Sequence, residues 1–182
     1  MNRVVTIAVA SVLLIVSGCS SEKPPEPVKT MPAIVLSTAD KEKLAAFQKE
    51  ILNIEGLTGK ALILAGEELK NVLKGGEISI NLPAIVDKAQ TECLKAGESL
   101  AKKAVPEALP PEAKRLLDES KTGLIASYTA YAASFDAVKS FAADKNPMAL
   151  LEYRKKNAEA QQQLKGATEK LKQIMAATGV TQ

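Results

Sequence analysis

The sequence predicts an all-α protein that folds as an up-down-up-down four-helix bundle. Apolar residues recur at steps of three and four over four long stretches, at about residues 38–73, 83–104, 111–143 and 147–177. This spacing is the period of an amphipathic helix. Alanine, the strongest helix former, is frequent in every stretch. Short breaks separate the stretches, so antiparallel packing of successive helices around one core is the simplest closure.

The first predicted helix begins near two possible N-caps, Ser37 and Thr38, and we expect it to end where Gly75 or Gly76 can adopt a left-handed conformation. Its apolar or small residues form a near-heptad stripe, which predicts one buried face. The stripe consists of Leu44, Phe47, Ile51, Ile54, Thr58, Ala61, Ala65, Leu69 and Val72.

Three glycines, Gly56, Gly59 and Gly66, lie inside this helix. Each costs about 1 kcal/mol relative to alanine in a helix interior. We therefore expect a neighbouring helix to approach closely at these positions, and the alternative is a bend in the helix.

The second predicted helix opens with Pro83, which is favoured at the first helical position. Before it, Ile78, Ile80 and Leu82 alternate with polar residues, and we expect them to form a lid over the end of the core. Cys93 falls on the apolar stripe of this helix, so it is predicted to be a core residue, with a disulfide-linked dimer or a redox role as the alternative. The stripe is Val86, Ala89, Cys93, Ala96, Leu100 and Ala104.

The third predicted helix restarts after Pro106, at Pro110 or Pro111, and carries the aromatic residues Tyr128, Tyr131 and Phe135 on one face. Core packing is the expected role of these aromatic residues, and a stacking surface for a ligand is the alternative. Because a buried tyrosine hydroxyl needs a partner or water, we expect Phe135 to lie deepest and both tyrosines to lie near the edge. The whole stripe is Leu117, Leu124, Tyr128, Tyr131, Phe135, Val138 and Ala142.

The fourth predicted helix has Asn146 as its N-cap and Pro147 as its first residue, and Gly179 can end it. Asn157 is the polar exception on its stripe, and both a buried residue that fixes helix register and a partly exposed residue fit that position. The stripe is Leu150, Tyr153, Asn157, Ala160, Leu164, Ala167, Leu171 and Ile174.

The composition argues against several classes of site. The chain has no histidine, which removes the usual catalytic zinc sites, hydrolytic triads with a histidine base, and di-iron bundles. The adjacent pair Glu67 and Glu68 cannot converge on one point, because successive helical residues lie about 100° apart. We therefore predict a non-enzymatic protein with no catalytic residues, no cofactor and no metal.

The N-terminal segment has the order of a secretory signal: one basic residue, Arg3, and an apolar run over residues 4–16 that is too short to span a bilayer. The run leads into an aliphatic residue, two small residues and a cysteine, which are Val16, Ser17, Gly18 and Cys19. This motif resembles the lipobox of bacterial lipoproteins.

The resemblance implies that signal peptidase II cuts between Gly18 and Cys19, that the Cys19 thiol carries a diacylglyceryl group, and that the new amino terminus is acylated. Two or more acyl chains give stable membrane anchoring. Ser20, rather than aspartate, follows the cysteine, which favours the outer membrane if the source is Gram-negative. The lipidated N-terminus and a proline-rich tether then occupy residues 19–36, the bundle 37–178 and a tail 179–182.

Removing residues 1–18 takes away one basic residue and leaves 23 basic against 21 acidic residues. Such a balance does not indicate a nucleic-acid binder. We expect a lipid-anchored, extracytoplasmic interaction, scaffold or assembly factor whose partners are the membrane and another envelope protein. A binding module for a small or lipid-like ligand is the alternative, and an enzyme is the third possibility.

Overall fold

A computed structural model describes residues 32–180 of the chain. These residues contain four α-helices and no β-strand, so the all-α prediction is confirmed and the described part forms a helical bundle. The helices are α1 (Thr38–Leu73), α2 (Leu82–Ala101), α3 (Pro111–Asp144) and α4 (Pro147–Thr178). The signal segment and most of the tether lie outside the described residues.

The helix ends follow from local sequence. The Ser37 hydroxyl accepts the N–H of Asp40 at 3.2 Å, which caps the start of α1. Gly75 follows the end of α1 with a φ of 84°, a left-handed conformation that glycine adopts without strain. The side chain of Asn146 caps α4 at its start, and Gly179 ends it with a φ of 64°.

Helix α2 ends at Ala101, so its predicted end at residue 104 is wrong. The Lys121 ammonium of α3 donates to the carbonyl of Ala101 at 3.2 Å and to that of Lys103 at 2.5 Å. It thereby satisfies carbonyl groups at the end of the helix. Pro106 also disfavours helix in the residue before it. The predicted stripe residue Ala104 consequently lies outside the helix and is exposed.

A polar clasp joins α2 to α3. The Gln90 side chain donates to the Ala132 carbonyl at 3.1 Å and to the Asp136 carboxylate at 2.6 Å, and Lys139 forms an ion pair with Asp87. Asp87 comes before Gln90 in α2, whereas its partner Lys139 comes after Ala132 and Asp136 in α3. The two helices therefore run in opposite directions.

Small residues join α3 to α4. The Ser120 hydroxyl donates to the Ala167 carbonyl at 2.8 Å, and the Ser127 hydroxyl donates to the Ala160 carbonyl at 2.9 Å. These pairings show that α3 and α4 are also antiparallel. All four residues are buried.

A backbone hydrogen bond connects the start of the described chain to the end of α4. The Ile34 N–H donates to the Ala177 carbonyl at 2.8 Å. This contact places Ile34 at the end of the bundle where α1 begins and α4 finishes.

The predicted lid forms only in part. Leu82 is buried as the first residue of α2, and Ile78 is half-buried against the core. Ile80, however, is 93% exposed, because the segment between α1 and α2 does not continue as a regular extended strand over the core.

The expected close approach at Gly56, Gly59 and Gly66 is wrong. A Cβ atom placed on any of these three glycines would have no atom of the described chain within 4 Å, once the helix's own backbone and the adjoining residues are set aside. Helix α1 packs against α2, and it does so with a different face. The close approach in this bundle occurs at Gly123 of α3, where a Cβ would lie 3.0 Å from the Cβ of Ala167.

Candidate functional site

The predicted lipidation and cleavage site, Gly18 and Cys19, lies outside the described residues. The attachment of lipid at Cys19 therefore stays a prediction. The residues that the sequence singled out on the four helices lie within residues 32–180, and the structure gives each of them a place.

The aromatic residues of α3 are part of the core. Tyr128 is 2% exposed, Phe135 3% and Tyr131 8%. The expected order of depth is wrong, because Tyr128 is buried at least as deeply as Phe135. Burial raises the pKa of Tyr131 to about 12 and raises that of Tyr128 further above its ordinary value, with the charge of Glu55 as the next contribution.

Cys93 is fully buried in α2, as its position on the apolar stripe predicts. Burial, assisted by the neighbouring charge of Glu92, raises the pKa of the Cys93 thiol to about 12. Because the thiolate is the reactive form of cysteine, both the burial and the raised pKa disfavour reaction of this thiol at neutral pH in the folded chain. The arrangement gives no support to a redox role or to a disulfide-linked dimer.

The best-formed concavity is an open groove of about 790 Å³ between the first half of α3 and α4. Charged side chains line its rim, and small residues line its floor where Gly123 lets the two helices come close. The lining residues are Pro111, Lys114, Arg115, Asp118, Glu119, Thr122, Gly123, Ala126, Gln163 and Lys170. A second concavity of about 390 Å³ lies between α2 and α3, and neither concavity is lined by the aromatic residues of α3.

Three charged residues of the groove pair with one another. Lys170 of α4 donates to the Glu119 carboxylate of α3 at 2.8 Å, and Arg115 forms an ion pair with the same carboxylate. The hydrogen bond from Lys170 is the main reason that the pKa of Glu119 is lowered, and the charges of Lys170 and Arg115 add to it. These groups satisfy one another, so they offer little free charge to a ligand.

Gln163 is the residue of the groove with a buried side-chain atom that lacks a hydrogen-bond partner among the described residues. Its Nε2 donates to Glu159 at 3.3 Å, whereas its buried Oε1 has no hydrogen-bond partner among the described residues. The groove has neither a nucleophile next to a base nor two carboxylates that converge. Its chemistry is therefore that of a weak polar recognition surface rather than that of a catalytic site.

Glu55 of α1 is a half-buried carboxylate that the sequence analysis did not single out. Burial raises its pKa, and the positive charge of Lys172 on α4 opposes that rise. The sequence did contain a signal for the burial of Glu55. Glu55 lies four residues after the buried Ile51, and this spacing places Glu55 towards the buried side of the helix. The apolar Ile54 was assigned to the stripe instead.

The remaining polar candidates do not form a site. Asn157 and Glu68 are half-buried, and Glu67 is exposed. Within residues 32–180, no group of three or more Cys, Asp or Glu side chains is placed to hold a metal ion.

More exposed large apolar side chains lie on α1 than on any other helix of the described chain. Four large apolar side chains of this helix are exposed by between 42% and 59%: Leu52, Leu57, Ile63 and Leu64. No helix of the described chain is long and apolar enough to cross a membrane. Comparison with protein-family models, with curated proteins and with solved structures finds no match to this chain.

Proposed function

We propose that this protein is a membrane-anchored, extracytoplasmic lipoprotein that acts as a non-enzymatic interaction, scaffold or assembly factor of the cell envelope. In this proposal its signal peptide is removed at Cys19, and an up-down-up-down four-helix bundle stands on a proline-rich tether. The observation that carries the interaction role is a filled core combined with exposed apolar residues on α1, since exposed apolar patches on soluble proteins mark interaction sites.

The filled core counts against the ligand-binding alternative. The aromatic residues Tyr128, Tyr131 and Phe135, which were the best candidates for a stacking surface, are all buried. The groove between α3 and α4 is open, and three of its charged residues, Arg115, Glu119 and Lys170, pair with one another. The Oε1 of Gln163 and the side chains of Lys114 and Asp118 would be left for a small ligand, on a surface that does not enclose it.

The place where the described chain begins supports the anchoring role. Ile34 bonds to Ala177 at one end of the bundle. The preceding residues 19–33 are rich in proline, and at about 3.1 Å per residue they would extend for about 46 Å. That length leaves the sides of the bundle free to meet a partner away from the lipid surface.

Anchoring is tested by Cys19→Ala in the full chain, with Cys93→Ala as the matched control. We expect Cys19→Ala to carry no lipid and to keep the size of the uncleaved precursor, because lipidation precedes cleavage by signal peptidase II. The control should remain in the membrane fraction at its mature size. A Cys19→Ala protein that stays fully anchored and mature-sized would refute the lipoprotein assignment.

The interaction role is tested by in-cell crosslinking and pull-down of the lipidated protein. Leu57 and Leu64 lie on one line of α1, seven residues apart. We expect Leu57→Glu combined with Leu64→Glu to lose the crosslinked envelope protein that the wild type retains. Leu94→Glu, at a comparably exposed position on α2, is the control. If the double variant and the wild type retain the same partner, α1 is not the interaction surface.

A further inference from the structure

A second line of apolar and small residues runs along α1 on its outer side. We call it the outer stripe: Leu52, Gly56, Gly59, Ile63 and Gly66, at steps of four, three, four and three. Those steps keep the five residues on one face of a helix. Leu52 is 42% exposed and Ile63 53% exposed, Gly56 is exposed, and the other two glycines are half-buried.

Nothing within the described chain explains the three glycines. None has a positive φ, and a Cβ on any of them would meet no atom within 4 Å beyond the helix's own backbone and the adjoining residues. Each glycine is nonetheless less favourable than alanine in a helix interior. Other helical glycines with open surroundings, Gly97 and Gly166, stand singly, whereas these three share one stripe with two exposed apolar residues.

The outer stripe is complementary to itself when a second helix α1 crosses it in the opposite direction. We place a two-fold axis at Gly59. Any two residues that then face each other across the axis have residue numbers whose sum is about 118. Leu52 then faces Gly66 of the second copy, Ile63 faces Gly56 of the second copy, and the two copies of Gly59 meet. Each large side chain is placed against the gap that a glycine leaves, which is the knob-and-hole pairing of packed helices.

The charges beside the outer stripe fit the same register. Lys49 and Glu67 lie on one flank of the stripe, and the two-fold axis brings Lys49 near Glu67 of the second copy, twice over. Lys60 is on the same flank close to the axis, so the two copies of Lys60 lie near each other and oppose the association. Both effects are modest, because the side chains reach solvent.

We infer that the outer stripe is a docking surface for a second copy of this chain, which pairs through α1 in antiparallel orientation. The inference does not depend on lipidation. It is compatible with anchoring, since the two starts of α1 would lie about 63 Å apart at 1.5 Å per residue. Tethers of about 46 Å then allow both copies to reach one membrane.

The register is tested by disulfide crosslinking of the full chain in cells. We expect Gly59→Cys to give a disulfide-linked homodimer. Leu52→Cys and Gly66→Cys should crosslink with each other when the two single variants are coexpressed, and each should fail to crosslink when expressed alone. The unmodified chain supplies the background, because its Cys93 is buried.

Each alternative gives a different result. Homodimers of Leu52→Cys alone indicate a parallel pair and overturn the antiparallel register. A second outcome is that no disulfide forms, while the outer stripe crosslinks to a different protein or a probe on Gly59→Cys becomes buried in lipid vesicles. Either result assigns the outer stripe to another occupant and overturns the inference. Cys19→Ala should leave the crosslinking pattern unchanged, so failure of the lipoprotein proposal is distinguishable from failure of this one.

Two further variants separate association from folding. Gly59→Gln should abolish the homodimer in analytical ultracentrifugation while the variant melts no lower than the wild type, because glutamine favours helix and the site is open. Gly166→Gln on α4 is the matched control and should leave the dimer intact. Lys60→Ala should lower the dissociation constant about two- to fivefold, since it removes a repulsive pair near the axis. An unchanged or raised dissociation constant for Lys60→Ala contradicts the two-fold register.

Discussion

Gly123 of α3 lies directly against Ala167 of α4: a Cβ atom on Gly123 would come within 3.0 Å of the Cβ of Ala167. One helical turn before Gly123, the Ser120 hydroxyl donates to the Ala167 carbonyl. One helical turn after Gly123, the Ser127 hydroxyl donates to the Ala160 carbonyl. Both serines are fully buried. The separation of α3 and α4 is therefore set by small side chains and by hydroxyls that bond to the neighbouring backbone.

This contact predicts that Gly123→Leu destabilises the bundle by at least about 1–3 kcal/mol, because the new side chain forces the two helices apart. Gly166→Leu on α4 is the control, since a Cβ there meets nothing within 4 Å. The control should melt no lower than the wild type. Equal melting temperatures for the two variants would show that α3 and α4 separate without cost.

A second prediction concerns the buried thiol of Cys93. In a chain that carries Cys19→Ser, we expect a thiol reagent to label the native protein only as fast as the protein unfolds, and to label it at once in denaturant. Leu94→Cys, at a neighbouring position that is 51% exposed, should label rapidly. Fast labelling of native Cys93 contradicts its place in the core.

The cost of losing the Cys93 side chain follows from the same burial. Cys93→Ala should lower the free energy of unfolding by about 1–2 kcal/mol, since it removes one buried sulfur atom and leaves a small cavity. Denaturant unfolding measures this difference. A larger loss would indicate that the sulfur makes an interaction beyond packing.

A third prediction tests the aromatic core. Phe135→Ala should lower the free energy of unfolding by about 3–5 kcal/mol through lost burial and an unfilled cavity. Small domains have only about 5–15 kcal/mol in total, so the variant should be close to unfolded. Phe141→Ala, at a half-buried position on the same helix, should cost clearly less. A melt of Phe135→Ala that matches the wild type would restore the ligand-binding hypothesis.

A fourth prediction follows from the raised pKa of Glu55. Folding favours the protonated form of this carboxyl, so its contribution is most favourable below its ordinary pKa of 4.5 and is lost as the pH rises through the raised pKa. Glu55→Gln imitates the protonated form. We therefore expect the variant to be more stable than the wild type at pH 7 and to lose that advantage at pH 4.

Denaturant unfolding at the two pH values measures the effect of Glu55→Gln. The matched control is Glu42→Gln, at an exposed position near the start of the same helix, which should show no such gain at pH 7. A Glu55→Gln protein that is less stable than the wild type at pH 7 would mean that the attraction of Lys172 outweighs the cost of burial.

The sequence by itself determined the four helices and the faces that they bury. The stripe of α1 from Leu44 to Val72 is buried except for the half-buried Ile54, because the period of apolar residues reports which side of a helix avoids water. The ends of α1 and α4 were also predictable from neighbouring residues. Ser37 and Asn146 cap the helix starts with their side chains, and Gly75 and Gly179 adopt a left-handed conformation after the helix ends. The resemblance of Val16, Ser17, Gly18 and Cys19 to a lipobox is likewise a local pattern.

Only the tertiary structure decided how those helices meet. Ser120 and Ser127 are buried because backbone carbonyls of α4 lie opposite them, and a hydroxyl gives no such signal in a list of apolar positions. The Ala101 carbonyl at the end of α2 accepts a hydrogen bond from Lys121, which is 20 residues away in the chain. A Cβ placed on Gly56, Gly59 or Gly66 of α1 would meet open space, whereas a Cβ on Gly123 would meet Ala167 of α4. Propensity and period are properties of one helix, but close approach is a property of two, and it depends on which backbone lies opposite.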